Sequence, residues 1–151
     1  MDAKIIANLW ECIGPEGHLW ILGDFAWGKR SDDTEWLQNI FGQLPGQRRH
    51  LVIGNHDLEA TQALPWDSVQ HLNELRDGPQ NQLHTLCHYP MITWNHARRN
   101  AIQMFGHVHE NWKGSRNSVN VGVDVWDFKP VRFEDVERRA KKLPVNKHCR
   151  L

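Results

Sequence analysis

Three apolar runs in this chain end in the same manner. Residues 19–22 (Leu-Trp-Ile-Leu) open onto Gly23-Asp24, and residues 51–53 (Leu-Val-Ile) open onto Gly54-Asn55-His56-Asp57. Residues 102–105 (Ile-Gln-Met-Phe) open onto Gly106-His107-Val108-His109, and residues 83–87 deliver His88 at their end. Short apolar runs bounded by turn formers read as strands covered on both faces, and a following glycine lets the backbone turn closely where the strand leaves the sheet. Each group of polar residues is therefore expected where a buried strand emerges into a loop.

Helical patterns separate these strands. Ile5, Ile6, Leu9, Trp10 and Ile13 share one face at helical spacing, and Gly14-Pro15 stops that helix. A second helix is predicted from near Asp32, where Glu35 three residues on resembles a capping box, with Leu37, Ile40, Phe41 and Leu44 as its apolar face. A further helix is predicted over 67–75 and a last one over 134–143, acidic in its first turn and basic in its last. Val119, Val121 and Val123 alternate with Asn120 and Gly122 and predict another strand. Helices alternating with strands early, and strands clustering late, predict a layered α/β domain over residues 1–143 with a polar tail over 144–151.

Composition narrows the function classes. At 151 residues the chain fits one domain with a sizeable core. Eighteen basic and eighteen acidic residues cancel, so the global field favours neither nucleic acid nor a membrane surface. No apolar run approaches a membrane span, and three cysteines without paired spacing read as free thiols, which predicts a cytoplasmic protein. The ten histidines invite a chemical explanation where they cluster.

Asp, Asn and His are residue types that hold divalent cations in hydrolases. In an extended segment residues i and i+2 point to the same side, so His107 and His109 are expected to face one pocket. Asn55 offers a neutral carbonyl oxygen, His56 can face a substrate, and Asp57 could orient the His56 ring or stabilise its charge. Arg98 and Arg99 are candidates for holding a phosphate, with Lys29 and His96 behind them. Trp27, Trp94 and Trp126 are candidates for stacking a base, although packing accounts for most tryptophans.

The order and spacing of Gly23-Asp24, Gly54-Asn55-His56-Asp57, His88 and Gly106-His107-Val108-His109 resemble the calcineurin-like metallophosphoesterases, small bacterial or phage-type members in particular. The segments 25–28 and 120–124 extend the resemblance, which covers roughly residues 1–135. It implies a layered α/β sandwich and a divalent-metal-dependent phosphoester hydrolase, acting on phosphodiesters or phosphomonoesters, with two metals about 3.5–4 Å apart. By the resemblance Asp24 bridges the metals, Asn55, His88 and His107 complete the second site, and His109 serves the first. His56 acts near the leaving group, and metal-bound hydroxide is the nucleophile. Mn²⁺ is the metal the resemblance favours, with Fe, Zn or Ni also compatible with such ligands. Nucleic acid enters only as a substrate.

One motif has no counterpart. The family opens with Asp-x-His on its first strand, and nothing before Gly23 supplies it. The first metal then keeps Asp24 and His109 alone, and about one tightly held ion per chain is expected. The strand over 19–22 is expected to show an open edge, which predicts self-association into a homo-oligomer. Loss of the first-metal ligands also leaves a second reading, a non-catalytic metal-binding relative that serves as a protein-interaction module.

Overall fold

The computed structural model describes residues 2–149. It is a mixed α/β structure with two sheets and four α-helices among the described residues. The chain opens with α1 (Asp2–Cys12) and enters β1 (His18–Ile21). Then follow α2 (Thr34–Gly42), β2 (Arg48–Val52), the short α3 (Glu59–Gln62) and β3 (Ser68–Gln70). β1, β2 and β3 form a parallel sheet in that order, with β1 at one edge.

The second sheet is built from β4 (Leu72–Asp77), β5 (Gln82–Cys87), β6 (Gln103–Phe105), β7 (Gly114–Ser115) and β8 (Ser118–Asn120), in the order β4-β5-β6-β8-β7. Its three inner strands run parallel, and β4 and β7 close it antiparallel on either side. α4 (Phe133–Ala140) packs its Phe133, Val136 and Ala140 with Leu86, Met104 and Val119 of this sheet and Val52 of the first. A separate core gathers Leu9 of α1, Leu19 of β1, and Leu37 and Phe41 of α2. Each such side chain contributes about 1.5–3 kcal/mol when fully buried.

Local chemistry explains most of the element boundaries. α2 begins where the Asp33 carboxylate accepts from the Trp36 N–H at 3.0 Å, one residue later than the cap expected at Asp32. Side chains hold α1 at its middle and its C-terminal end: Asn8 donates to the Phe128 carbonyl at 2.7 Å, and Arg132 donates to the Cys12 carbonyl at 3.2 Å. Trp10, expected on the buried face, is largely exposed and donates its indole N–H to the Gln43 carbonyl.

Two expectations require correction. Residues 67–75 form no helix: they supply β3 and β4. Val69, Leu72 and Leu75 imitate a helical stripe, but β4 pairs with β5 through six registered positions and β3 pairs with β2 through three. Strand pairing outweighs so short a pattern. The strand expected to continue to Val123 stops at Asn120, because Gly122 leads into a 3-10 turn over Val123–Val125.

Two buried histidines make stability depend on pH. His84 accepts the Ile102 N–H on Nδ1 at 3.0 Å and packs its ring on Phe133, and burial pushes its pKa below the ordinary 6.5. His50 lies flat on Trp20 with ring centroids 4.0 Å apart; burial lowers its pKa too, with the nearby His18 adding to the effect. For both, the unfolded chain binds protons more readily than the folded one. Their contribution is therefore present above pH 6.5 and is lost as pH falls through the depressed folded values. The denaturant midpoint is expected to drop between pH 7.5 and pH 5, and His84→Gln, which keeps an acceptor for Ile102, should flatten that slope. A midpoint unchanged across the interval would contradict this account.

Candidate metal centre

Four of the residues singled out in the sequence meet at one place. Asp24 follows β1, Asn55 follows β2, His88 follows β5 and His107 follows β6. The side chains of Asp24, His88 and His107 offer ligand atoms that all lie within 4.8 Å of one another. His88 is the centre of the group and is 1% exposed. Its Nδ1 lies 2.8 Å from the Leu22 carbonyl oxygen, which can only accept, so the ring proton is assigned to Nδ1 and Nε2 presents its lone pair. That Nε2 stands 3.1 Å from Asn55 Oδ1, 3.2 Å from His107 Nδ1 and 3.4 Å from Asp24 Oδ2. Three acceptor atoms and the His107 Nδ1, whose role depends on its tautomer, converge here. A cation in their midst satisfies all four, and the mixture of carboxylate, amide oxygen and imidazole suits a divalent transition metal. The residues present fit the metal that the resemblance implies.

The backbone is shaped for this meeting. Asp24 and His107 have φ of 54° and 66°, in the left-handed region that non-glycine residues occupy at a cost. Gly23 has φ 84°, and a Cβ there would lie 2.7 Å from the Gly54 Cα and closer still to the His88 ring. The two glycines let the Asp24 and Asn55 loops touch. Asp57 ties the same loops together: its carboxylate accepts from the N–H groups of Asp24, Phe25 and Gly54, each at 2.8 Å. Burial pushes the Asp57 carboxyl up from its ordinary value, and these three donors pull the other way by favouring the charged form.

Asp57 is therefore a loop clamp and not the partner of His56. The His56 N–H donates to Asp24 Oδ1 at 2.9 Å, and its ring meets Trp27 edge-on with centroids 6.1 Å apart. Neither ring nitrogen of His56 has a hydrogen-bond partner among the described residues, which leaves the imidazole free to meet a ligand beside the cluster.

His109 lies elsewhere. Its Nδ1 is 2.7 Å from Asp124 Oδ2, and with Glu110 and Asp124 it makes a second group of close ligand atoms. The same-side rule fails here because the backbone is not extended: β6 has ended, His107 and His109 both have positive φ, and Val108 bonds back to the Gly106 carbonyl. Asn120 fixes this loop by donating to the His109 and Trp112 carbonyls. Asp124 carried a signal in the 120–124 segment, whereas the role of the Leu22 carbonyl had none.

Arg98 and Arg99 are also placed away from the cluster. The Arg99 carbonyl accepts from the Gln82 side chain at the start of β5, while His88 follows that strand's end. At ~3.3 Å per residue these points are roughly 20 Å apart. Arg98 instead lines a cavity of about 470 Å³ with Gln82, His84 and Phe133. The 91–101 loop folds back along the sheet, so closeness to His88 in sequence does not become closeness in space.

No family model matches the chain. The Gene 66 protein of Mycobacterium phage D29 is 28% identical over 153 residues, spanning 80% of this chain and 74% of the phage protein. Among solved structures, a protein of unknown function from Aquifex aeolicus, AQ665, is similar with a TM-score of 0.69 and 26% identity, covering 91% of this chain and 84% of its own. Neither name states an activity. No helix among the described residues is long and apolar enough to cross a membrane.

Proposed function

We propose that this chain is a divalent-metal-dependent phosphoester hydrolase whose cation is held by Asp24, Asn55, His88 and His107, on a layered sandwich of the metallophosphoesterase type. The observation that carries the reading is the His88 Nε2 lone pair, buried and faced by Asn55 Oδ1, Asp24 Oδ2 and His107 Nδ1. The two sheets support it by delivering one ligand each from β1, β2, β5 and β6. When bound, the cation supplies a Lewis acid for a phosphoryl oxygen and acidifies water toward neutrality. The remaining work falls to the chain. Water adds to phosphorus and releases a proton to solvent as the ester P–O bond breaks, and the departing oxygen takes a proton from the neighbouring His56 ring, which regains one from solvent. Mn²⁺ is the proposed metal.

A second reading, the non-catalytic metal-binding module, is favoured by one observation: His109 stands with Asp124 and Glu110 and not with Asp24, so among the described residues the first-ion ligands expected of a two-metal centre are not gathered beside the Asp24–His88 cluster. Elemental analysis after dialysis against Mn²⁺ is expected to give close to one ion per chain, with weak Mn²⁺-stimulated hydrolysis of bis(p-nitrophenyl) phosphate. One ion without hydrolysis would favour the binding module. Two full equivalents, or none, would count against the assignment of ligands.

A further inference from the structure

The tryptophans of this chain differ in what holds them. Trp94 is buried and donates its indole N–H to the Ala101 carbonyl; Trp126 donates to the Asn120 carbonyl and carries the Arg139 guanidinium 3.2 Å above its ring. Exposed Trp10 is tied to the Gln43 carbonyl, and Trp112 stacks on Phe105. Trp27 is the most exposed of the tryptophans. It is 74% exposed, its indole N–H has no partner among the described residues, and its ring contact there is with His56.

The position is also fixed. Trp27 lies three residues beyond Asp24, on a segment anchored by the Phe25 N–H on Asp57, the Phe25 ring against Trp66 and a buried Ala26. A single exposed tryptophan is ordinary on a protein surface, so the weight falls on what stands next to this one. It stands beside the one imidazole near the cluster whose nitrogens are free.

We propose that Trp27 is a stacking shelf for a nucleobase, so that the ligands of this site are nucleoside phosphates. The reading rests on phosphate being held at the Asp24–His88 cluster, as in the proposed function. The phosphate sits at the cluster, the nucleoside extends past His56, and the base lies on the indole. A bicyclic ring offers a purine or pyrimidine a matching flat face, and stacking tolerates every base because each has one. Trp27 therefore sets which esters are bound and takes no part in the chemistry.

Titration calorimetry on the Mn²⁺-loaded protein tests this with the 5′-phosphonate analogues of adenosine monophosphate and ribose 5-phosphate, in which carbon replaces the ester oxygen and nothing is hydrolysed. The nucleoside phosphonate is expected to bind about tenfold or more tightly than the ribose phosphonate. Trp27→Ala should remove that preference and Trp27→Phe should retain most of it, with metal content as the check on folding. Equal affinities for the two ligands, or a preference that survives Trp27→Ala, would overturn the proposal. So would phenylphosphonate binding as tightly as the nucleoside phosphonate, which would make the shelf a general aryl site. Trp27-dependent nucleoside binding in a protein that hydrolyses no ester would uphold the shelf and refute the phosphoesterase reading alone.

Discussion

Replacing His107 by alanine is expected to remove the bound cation and to cost about a hundredfold or more in phosphoesterase activity. The metal-free protein should unfold within about 2 °C of the unsubstituted chain. The two halves of this expectation come from different features. His107 contributes Nδ1 to the convergence on His88, 3.2 Å away, so its loss leaves three ligands and an open side. Yet the residue is exposed, and among the described residues its ring meets only Tyr89 apart from His88, so little packing is lost. Surface changes of this sort usually stay within about 0.5 kcal/mol. Elemental analysis and a thermal scan in excess chelator separate the two effects. Activity that survives the substitution would remove His107 from the site.

Asp57→Asn is expected to act in the opposite sense, through stability first, and to cost about 3 kcal/mol or more. The carboxylate accepts three backbone N–H groups while 4% exposed. An asparagine of the same shape keeps one acceptor oxygen and turns an NH₂ toward donors that already point inward. At least one buried N–H is then left without a partner, beside a donor–donor contact. The loops carrying Asp24 and Asn55 would part, so metal affinity should fall although Asp57 itself is not among the converging ligands. Urea denaturation with and without Mn²⁺ would show both losses. A variant as stable as the parent would mean that the clamp contributes little.

The sequence made the strands before Gly23, Gly54, His88 and Gly106 legible because each is a compact apolar run with a turn signal behind it. The convergence of Asp24, Asn55, His88 and His107 at one end of the sheets follows from that pattern. What stayed hidden depends on contacts far apart in the chain. β4 looks helical until its register with β5 is known, since Leu72 and Leu75 fit either period. Asp57 follows His56 in sequence, so proximity suggested a pair, but its three donors come from two separate loops. His109 was misplaced by a rule that requires extended backbone, and its left-handed φ of 49° removes that premise. Arg98 and Arg99 show the same limit, because the direction in which a loop returns is set by what it packs on.

The cluster draws its members from both sheets: Asp24 and Asn55 from the ends of β1 and β2, His88 and His107 from the ends of β5 and β6. The Leu22 carbonyl to His88 bond already crosses that seam. A cation in the middle would therefore rivet one sheet to the other, and its affinity would report how well the halves are aligned. By linkage, a ligand bound only to the aligned form stabilises that form in proportion to the logarithm of its concentration. Shear along the seam, from strain or from a partner pulling on the β1 edge, would loosen the rivet without touching a ligand residue. An ion held there would then act as a gauge of mechanical register between the two sheets.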